Sequence, residues 1–426
     1  MTQLERLRHL IGELLHGNRF YAPRLRAAGL DADLPDIETF TARLPFTTKA
    51  EMVRDQQAHP PYGTNLTYPL ERYVRFHQTS GTTGGQPLRW LDTAESWNGQ
   101  LQVWQRVFEV AGIGPGHRVF IPFSFGPFLG FWAAFDAARQ LGCLTLPGGG
   151  LSTLGRLRVI VDNRVHAVCC TPTYALHLGQ TAVAEGLDLA AAGVRAVIVA
   201  GEAGGSVEAT RREIERLWGG NTGEDGVTRV YDHHGMTEVG PVSYPNPRFP
   251  GVLHILEESF LAEVLDPATG RPVAPGEVGE LVLTTLGRVA SPLLRYRTGD
   301  LVRISTQSVE SLGFADLALE GGILSRIDDM VVVRGVNLYP SALEQVIRTR
   351  PGVAEYRVEL SRRGALTEVQ VAVEPASEVT DAARLTHDLE TALRTAFQLR
   401  IPVRLVAQGE LPRFEMKARR WVDAEG

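Results

Sequence analysis

The clearest secondary-structure pattern of the chain lies near its middle, where the apolar run AVIVAGE (196–202) is followed by the helical pattern ATRREIERLW (209–218) and by a second strand-like run, VTRVYDHH (227–234). Strand-like runs that alternate with helical patterns are typical of a layered α/β fold. The same rhythm extends towards the N-terminus through HRVFIPF (117–123) and AVCCTP (167–172). The first three quarters of the chain therefore predict a layered α/β fold.

A different pattern follows the α/β region. The runs FLAEVLDP (260–267), GELVLTTL (279–286) and YRTGDLVRI (296–304) are separated by turn-rich pieces, which predicts an antiparallel β section. Strands and helices then alternate again over about 100 residues, a typical size for a small domain. We therefore expect a large N-terminal domain over residues 1–327 and a small α+β C-terminal domain over residues 328–426.

Length, charge and cysteine content exclude several classes of protein. The 426 residues are 44% hydrophobic, enough for a large core, and their formal net charge of −6 disfavours a nucleic-acid partner. The sequence predicts neither a membrane span nor a signal peptide. Cys143, Cys169 and Cys170 have the spacing of neither a disulfide framework nor a structural zinc site. We expect a cytoplasmic protein without structural zinc.

A loop rich in hydroxyls and glycines, TSGTTGGQP (79–87), is the strongest local signal for chemistry. Glycines allow backbone N–H groups to approach phosphate oxygens, and the hydroxyls add further donors. The loop is not a Walker loop, because it contains no lysine. A flexible surface linker is the alternative for such a string taken alone.

Four further segments carry residues suited to nucleotide chemistry, each with a plainer alternative. YDHHGMTE (231–238) offers a hydroxyl and a carboxylate able to bind Mg²⁺, or only a pair of loop histidines. YRTGD (296–300) ends in an Asp that could accept two ribose hydroxyls, or in an ordinary turn. SRIDDMVVVRGVNLYP (325–340) lies where the fold changes character and could be a charged linker. LPRFEMKARR (411–420) holds Lys417, a point charge for acyl or phosphoryl transfer, or is a solvated basic tail.

The order and spacing of these five segments resemble the adenylate-forming superfamily of acyl-CoA synthetases, adenylation domains and luciferases, and most of all its phenylacetate–CoA ligase branch. In that superfamily a TSGTTG-type loop binds ATP phosphates, and a further glycine-rich segment, here GEAGG (201–205), contacts adenine. The remaining motifs correspond in chain order to HGMTE (234–238), YRTGD (296–300), SRIDD (325–329), RGVNLYP (334–340) and LPRFEMK (411–417).

The resemblance implies a two-step reaction that uses ATP, Mg²⁺ and coenzyme A. A carboxylate attacks the α-phosphate of ATP to give an acyl-AMP and pyrophosphate, and a thiol, usually that of coenzyme A, then displaces AMP to give a thioester. The carboxylate and the triphosphate are both anions, so catalysis needs positive charge. The resemblance implies catalytic roles for Lys417, Thr237 and Glu238, with Glu238 also as the metal ligand.

Cofactor, substrate and hinge residues are implied by the same motifs. Contacts to the nucleotide or coenzyme A are implied for Thr79, Ser80, Gly81, Thr82, Thr83, Gly84, Gly201, Glu202, Ala203, Asp232, His233, Asp300, Arg326, Arg334 and Gly335. The acyl pocket is expected among Phe123, Phe125, Phe128, His234 and Gly235. An aryl or arylacetic acid is favoured, although the phenylalanines could equally belong to a core. Asp328 is expected to be the hinge of a domain rotation between the two steps.

Three positions depart from the superfamily motifs, and the function has alternatives. The phosphate-loop lysine of many relatives is absent, and Arg89 is a candidate replacement; His234 replaces a tyrosine, and Ser325 replaces a glycine. The acyl-AMP could instead pass to a carrier-protein thiol or an amine. A regulatory nucleotide-binding protein without catalysis is disfavoured by the presence of Glu238 and Lys417. A homodimer is compatible with the resemblance.

Overall fold

The structure is a computed structural model, and the part of the chain that it describes is not continuous. The described ranges are residues 1–79, 87–219, 227–327, 329–334, 336–363, 366–377, 379–414 and 418–423.

Four helices and a hairpin form the N-terminal part of the chain. They are α1 (Gln3–Gly17), α2 (Tyr21–Ala27), α3 (Ile37–Arg43), α4 (Lys49–Ala58), a 3-10 turn (Leu70–Arg72) and the antiparallel strands β1 (Tyr73–Gln78) and β2 (Arg89–Thr93). Helix α4 begins with a capping box, in which the side chains of Thr48 and Glu51 each accept a hydrogen bond from the other residue's backbone N–H. The connection between β1 and β2 contains the TSGTTGGQP loop, so pairing of these strands holds the two ends of the loop together.

A parallel sheet with the strand order β4-β3-β5-β6-β7 forms the next layer. Its strands are β3 (Arg118–Ile121), β4 (Leu144–Pro147), β5 (Ala167–Cys170), β6 (Ala196–Ala200) and β7 (Arg229–His233), and its helices are α5 (Ala94–Val110), α6 (Leu129–Gln140), α7 (Thr153–Asp162), α8 (Pro172–Ala184), α9 (Leu189–Ala192) and α10 (Glu208–Leu217). Val197, Ile198 and Val199 of β6 are buried, as expected for a strand with helices on both faces. The predicted α/β layer is confirmed.

An antiparallel sheet with the order β10-β11-β15-β14-β13-β12 follows. The elements of this region are β8 (Gly235–Met236), β9 (Gly240–Pro241), β10 (Ser243–Pro245), β11 (Val252–Ile255), β12 (Phe260–Leu265), β13 (Val278–Thr285), β14 (Tyr296–Ile304), α11 (Val309–Leu312) and β15 (Ala318–Arg326). The sheet begins earlier than the sequence pattern predicted, because strands of two to four residues are too short to show an alternation.

The smaller C-terminal domain contains a four-stranded sheet with the order β20-β19-β18-β21. Its elements are β16 (Val331–Val333), β17 (Val336–Leu338), α12 (Pro340–Arg348), β18 (Val353–Arg363), β19 (Leu366–Pro375), α13 (Ala382–Phe397), β20 (Val403–Leu405) and β21 (Trp421–Asp423). The α+β character is as predicted, but β21 was not. This three-residue strand pairs in parallel with β18 after a basic segment that carries no strand pattern.

Within the described ranges, no helix has the length and apolar character that crossing a bilayer requires.

Candidate active site

The phosphate-loop prediction rests on a hairpin whose closing residues are well defined. The backbone N–H of Thr79 donates to the carbonyl of Leu88 at 2.9 Å, and the Leu88 N–H donates to the Thr79 hydroxyl at 3.0 Å. Thr79 is thus buried, and its two hydrogen bonds with Leu88 close the base of the loop. The other predicted loop residues, Ser80, Gly81, Thr82, Thr83 and Gly84, lie outside the described residues.

The turn that carries Thr237 and Glu238 is held by a buried arginine. The guanidinium of Arg288 donates through one nitrogen to the carbonyl oxygens of Thr237 and Glu238, both at 2.9 Å. Its other two nitrogens pair with the carboxylate of Asp92 at 2.7 and 2.6 Å. Gln100 donates a further hydrogen bond to Asp92 at 2.9 Å. Because a guanidinium binds a carboxylate in a rigid fork, this network fixes the direction of the turn.

His77 lies beside this network and stays neutral in the folded protein. Its ring stacks on Trp97 with centroids 5.0 Å apart, and its Nδ1 is 4.0 Å from Asp92. Burial lowers the pKa of His77 to about 4, and this effect outweighs the opposing attraction of Asp92. Because His77 is neutral, Arg288 is the charged partner of Asp92.

Glu238 fits the role of a magnesium ligand. Its side chain is almost fully buried, and its carboxylate lies 3.0 Å from the ammonium of Lys49. Mg²⁺ in nucleotide sites is usually held by one or two carboxylates, with waters and phosphates completing its octahedron. A single buried carboxylate that already attracts a cation meets this need. Among the described residues, no group of three or more His, Cys, Asp or Glu side chains could form an all-protein metal cage.

Asp300 joins three of the predicted motif segments. It lies on β14, its Oδ1 accepts a hydrogen bond from Arg326 at 2.8 Å, and its Oδ2 lies 3.2 Å from Nε2 of His234. Gly299, immediately before it, has φ +75°, and a Cβ there would lie 3.2 Å from the Arg326 guanidinium. The glycine of the YRTGD motif is thus required both by the backbone conformation and by the approach of Arg326.

The glycine-rich segment 201–205 packs closely on β7. A Cβ on Gly205 would lie 2.6 Å from the carboxyl group of Asp232, and one on Gly204 would lie 2.6 Å from Pro172. The hydroxyl of Ser206 donates to Asp232, and burial raises the pKa of this carboxyl group to about 6 although the hydrogen bond opposes the shift. Asp232 also lines a cavity of about 240 Å³ beside β7.

His233, the next residue of β7, faces the interior. Its Nδ1 lies 2.7 Å from the carbonyl of Ser243, and its ring lies against Trp104, with centroids 4.4 Å apart. Burial lowers the pKa of His233 to about 4. The predicted contact of this residue with the nucleotide stays a prediction, and the side chain shown here has a packing role.

Glu202 connects the two domains. One carboxylate oxygen accepts the backbone N–H of Thr173 in the first turn of α8 at 2.9 Å, and the other accepts the backbone N–H of Ala418 at 2.7 Å. Arg420 adds a 3.3 Å hydrogen bond to the hydroxyl of Thr173, while its charge is paired with Glu355 and Glu344 of its own domain. The backbone N–H groups of Thr173 and Ala418 thus both bind the carboxylate of Glu202, a residue that the motif assigned to the nucleotide. Lys417 itself lies outside the described residues.

The three phenylalanines predicted for the acyl pocket differ in exposure. Phe123 is buried and stacks on Phe131 with centroids 3.8 Å apart, so it belongs to the core. Phe125 and Phe128 are only partly buried. Their segment precedes α6, which packs against β8 and β9 and hence against Gly235. The Phe125 ring lies against Trp132 and Phe135 of this helix.

Two further predicted regions lie in the C-terminal domain or in the segment leading to it. Arg334 sits in the β16–β17 turn with φ +50°, and its guanidinium is 3.3 Å from Glu368 of β19. Gly335 and the proposed hinge residue Asp328 lie outside the described residues.

The three cysteine thiols are buried and hence have raised pKa values. Burial raises the pKa of Cys143, and it raises those of Cys169 and Cys170 much further. Cys169 and Cys170 lie at the end of β5, and the nearby charge of Glu202 adds to the shift at Cys170.

Lys49, Asp92 and Arg288 are parts of the site that sequence reasoning missed. Asp92 and Arg288 are 196 positions apart, and nothing in a single sequence pairs them. Lys49 lies inside the Thr48–Glu51 capping-box pattern, which could have been found, but that pattern indicates a helix start and no chemistry.

Comparison with known proteins agrees with this geometry. The family model of the AMP-binding enzyme matches residues 66–288, and that of the AMP-binding enzyme C-terminal domain matches residues 335–425. A phenylacetate-coenzyme A ligase from Thermus thermophilus is 32% identical to this chain, over 99% of this chain and 95% of its own length.

Solved structures add information on the arrangement of the domains. A crystal structure of 2-hydroxyisobutyryl-CoA ligase in the postadenylation state is 28% identical, with a TM-score of 0.88 over 99% of this chain and 89% of that chain. The same ligase in the thioesterification state is 29% identical, with a TM-score of 0.68 over 99% and 88%. The domains of this chain are therefore arranged as in the postadenylation state. Together with the two family models and the full-length relative, this shows that the chain belongs to the AMP-binding enzyme family, on its phenylacetate-coenzyme A ligase branch.

Proposed function

We propose that this protein is an ATP-dependent acid–coenzyme A ligase that activates an aryl or arylacetic acid as its acyl-AMP. The observation that carries the proposal is the convergence of His234, Asp300 and Arg326 within 3.2 Å contacts. It brings together the three motif segments assigned to substrate, ribose and domain junction. Acid–coenzyme A ligation through an acyl-AMP is also the activity that the relatives and the solved structures support.

In the first half-reaction the protein has to bring two anions together. Thr79 closes the base of the phosphate loop, Thr237 supplies a hydroxyl to the phosphates, and Asp300 accepts hydrogen bonds from the ribose while Arg326 fixes its carboxylate. Mg²⁺ bound at Glu238 would neutralise phosphate charge when present. Lys417 supplies positive charge at the oxygen that becomes anionic. The bond between Ala418 and Glu202 supports this role, because it joins the chain next to Lys417 to the N-terminal domain.

The second half-reaction requires a different arrangement of the domains. We propose that residues 328–426 rotate about Asp328, carry Lys417 away, and bring Arg334 and Gly335 to the site for attack by the thiol. The different TM-scores against two states of one ligase support a rotation of this kind. A cytoplasmic location and a homodimer stay predictions from the sequence.

The choice of an aromatic acid rests on Phe125 and Phe128, which are partly exposed beside the α6 segment that packs on Gly235. Aromatic walls with few polar groups favour a flat apolar acid over a dicarboxylate. Similarity to a ligase named for phenylacetate supports the same class.

The test is a panel of acids with the purified full-length protein, ATP, MgCl₂ and coenzyme A. The panel includes phenylacetate, benzoate, 2-hydroxyisobutyrate and a dicarboxylate, and both pyrophosphate and thioester are measured. We expect both products with an aromatic acid. Pyrophosphate without thioester would instead favour a carrier-protein thiol or an amine as acceptor, and absence of both with every acid would refute the proposal.

A further inference from the structure

The ammonium of Lys49 lies 3.0 Å from the Glu238 carboxylate, but the two side chains differ in burial. Lys49 is 45% exposed, whereas Glu238 is 6% exposed. A half-exposed lysine on a flexible four-carbon stem can leave its partner when another cation such as Mg²⁺ pairs with the buried carboxylate, which stays in place. Lys49 is therefore a cation that can move, and it is paired with Glu238, the carboxylate to which the proposed function assigns Mg²⁺.

The chain immediately before Lys49 is fixed to the site. Thr47 is fully buried, its backbone N–H donates to Arg295 at 3.0 Å, and its carbonyl accepts from Arg297 at 2.9 Å. The Thr47 hydroxyl also donates to the carbonyl of Leu294 at 2.8 Å. These bonds attach the start of α4 to β14, the strand that carries Asp300. The Cα of Lys49 is thus fixed while its side chain remains adjustable.

Helix α4 also reaches the end of the phosphate loop. The side-chain amide of Gln56, two turns along the helix, donates to the Arg89 carbonyl at 2.7 Å and accepts from the Arg89 N–H at 3.0 Å. Arg89 is the second residue after TSGTTGGQP. One rigid helix therefore links Lys49, beside Glu238, to the segment that ends the loop.

The phosphate loop lacks a lysine, and Arg89 is engaged elsewhere. The Arg89 guanidinium donates through Nη1 to the carbonyl of Pro61 at 2.9 Å. Lys49 instead has its ammonium at the carboxylate beside which the triphosphate would bind. Among the described residues, it is the cation paired with that carboxylate.

We propose that Lys49 is the phosphate-binding cation of this enzyme and takes the place of the missing loop lysine. Without nucleotide its ammonium pairs with Glu238. When Glu238 is used for Mg²⁺, the ammonium contacts a β- or γ-phosphate oxygen of ATP. This role rests on the proposed function, since it assumes that ATP binds at this site.

The test compares nucleotide binding to the full-length protein by calorimetry, without acid substrate, in MgCl₂. ATP carries the β- and γ-phosphates and AMP does not, so the ratio of the two dissociation constants isolates the contact. We expect Lys49→Gln to weaken ATP binding about 10- to 100-fold, the range of one charge-assisted hydrogen bond, with AMP binding within about twofold. Lys49→Arg should recover part of the ATP affinity.

Arg54→Gln is the matched control, because it removes an exposed positive charge from the same helix and should leave the ATP-to-AMP ratio unchanged. The assignment would be overturned if Lys49→Gln lost affinity equally for ATP and AMP, or if it kept full affinity for ATP. An ATP-specific loss in Arg89→Gln alone would transfer the role to Arg89. If the unmodified protein binds AMP but not ATP, the phosphate contact is wrong while an adenylate site remains. If it binds neither, the proposed function fails with it.

Discussion

The two domains hold their parts of the site in opposite ways. The N-terminal domain fixes the Thr237–Glu238 turn through Arg288, whose side chain is 1% exposed and paired with an equally buried Asp92. The C-terminal domain reaches the same region through the backbone N–H of Ala418, bonded to the partly exposed Glu202. The Arg288–Asp92 ion pair lies within one domain, whereas Ala418 and Glu202 are joined across the domains by a hydrogen bond to a partly exposed carboxylate.

In the proposed mechanism, the Arg288 network must last through every turnover, whereas the contact between the domains must break and re-form. A group that organises phosphates must hold its direction through every turnover, and breaking a buried ion pair costs about 3–5 kcal/mol. A domain that rotates must break its contacts once per turnover, and an ordinary hydrogen bond contributes only about 1 kcal/mol net. Arg420 shows the same difference. Its charge is paired with Glu355 inside its own domain, and its contact with the other domain is a 3.3 Å hydrogen bond to Thr173.

The largest effect is expected from breaking the buried network. Arg288→Met leaves the Asp92 carboxylate buried without its counter-charge, so we expect the free energy of unfolding to fall by about 3–5 kcal/mol. Denaturant unfolding measures the loss. Arg216→Met, which removes an exposed partner of Glu213, is the control and should cost less than about 1 kcal/mol. Similar losses in the two variants would contradict the contrast between buried and exposed charge.

Acid should weaken the same network through His77. Above pH 6.5 its imidazole is neutral in both the folded and unfolded states; below that pH the unfolded chain binds a proton that the folded protein, with a His77 pKa of about 4, does not. Stability therefore falls as the pH falls towards 4, by roughly 3 kcal/mol from this residue. His77→Phe keeps a ring beside Trp97 and should flatten the pH dependence of unfolding, although His233 contributes a similar slope. An unchanged slope would mean that the pKa of His77 is the same in the folded and unfolded states.

The next prediction separates the two half-reactions. Lys417→Ala should slow acyl-AMP formation by about 100-fold or more if its charge acts mainly in the transition state. The conversion of supplied acyl-AMP and coenzyme A to thioester should be less affected, because in the proposal the C-terminal domain has by then rotated. Stopped-flow measurement of each step gives the two factors. An equal loss in both steps would contradict this division of roles.

The smallest effect is expected at the junction of the domains. Glu202→Gln keeps the shape of the side chain but removes its charge and one of its two acceptors, because an amide NH2 cannot accept the backbone N–H of Thr173 or Ala418. We expect about a tenfold loss in acyl-AMP formation and little change in unfolding free energy. Glu202→Gln should also leave the thioester step within about twofold. A large loss of stability would show that the junction is as permanent as the Arg288 network.

Sequence reasoning found the parts of the site that follow one another along the chain. The strand run YRTGDLVRI is observed as β14, VTRVYDHH contains β7, and the resemblance to adenylate-forming enzymes is confirmed by the family models. These predictions succeeded because strand periodicity and motif spacing are local properties of the sequence.

Sequence reasoning could not find contacts that only the fold creates. Lys49 and Glu238 come from an N-terminal helix and a turn after β7, and the Asp92–Arg288 pair spans 196 positions. The carboxylate of Glu202 accepts a hydrogen bond from Ala418 across the domain junction, which its motif does not indicate, and its contact with the nucleotide stays a prediction. Likewise, one aromatic segment supplied both a core residue, Phe123, and two partly exposed rings, because burial depends on neighbours outside the segment.

The buried thiols of β5 bear on the selectivity of an enzyme that transfers acyl groups to sulfur. An acyl-AMP reacts with thiolates, and Cys170 lies close enough to the site for the charge of Glu202 to affect it. Only the deprotonated form of a cysteine is a good nucleophile. Because burial raises the pKa of Cys169 and that of Cys170 well above the ordinary thiol value, these side chains offer little thiolate to compete with coenzyme A in the proposed reaction. In the proposed reaction, the position of these side chains in the sheet therefore disfavours self-acylation.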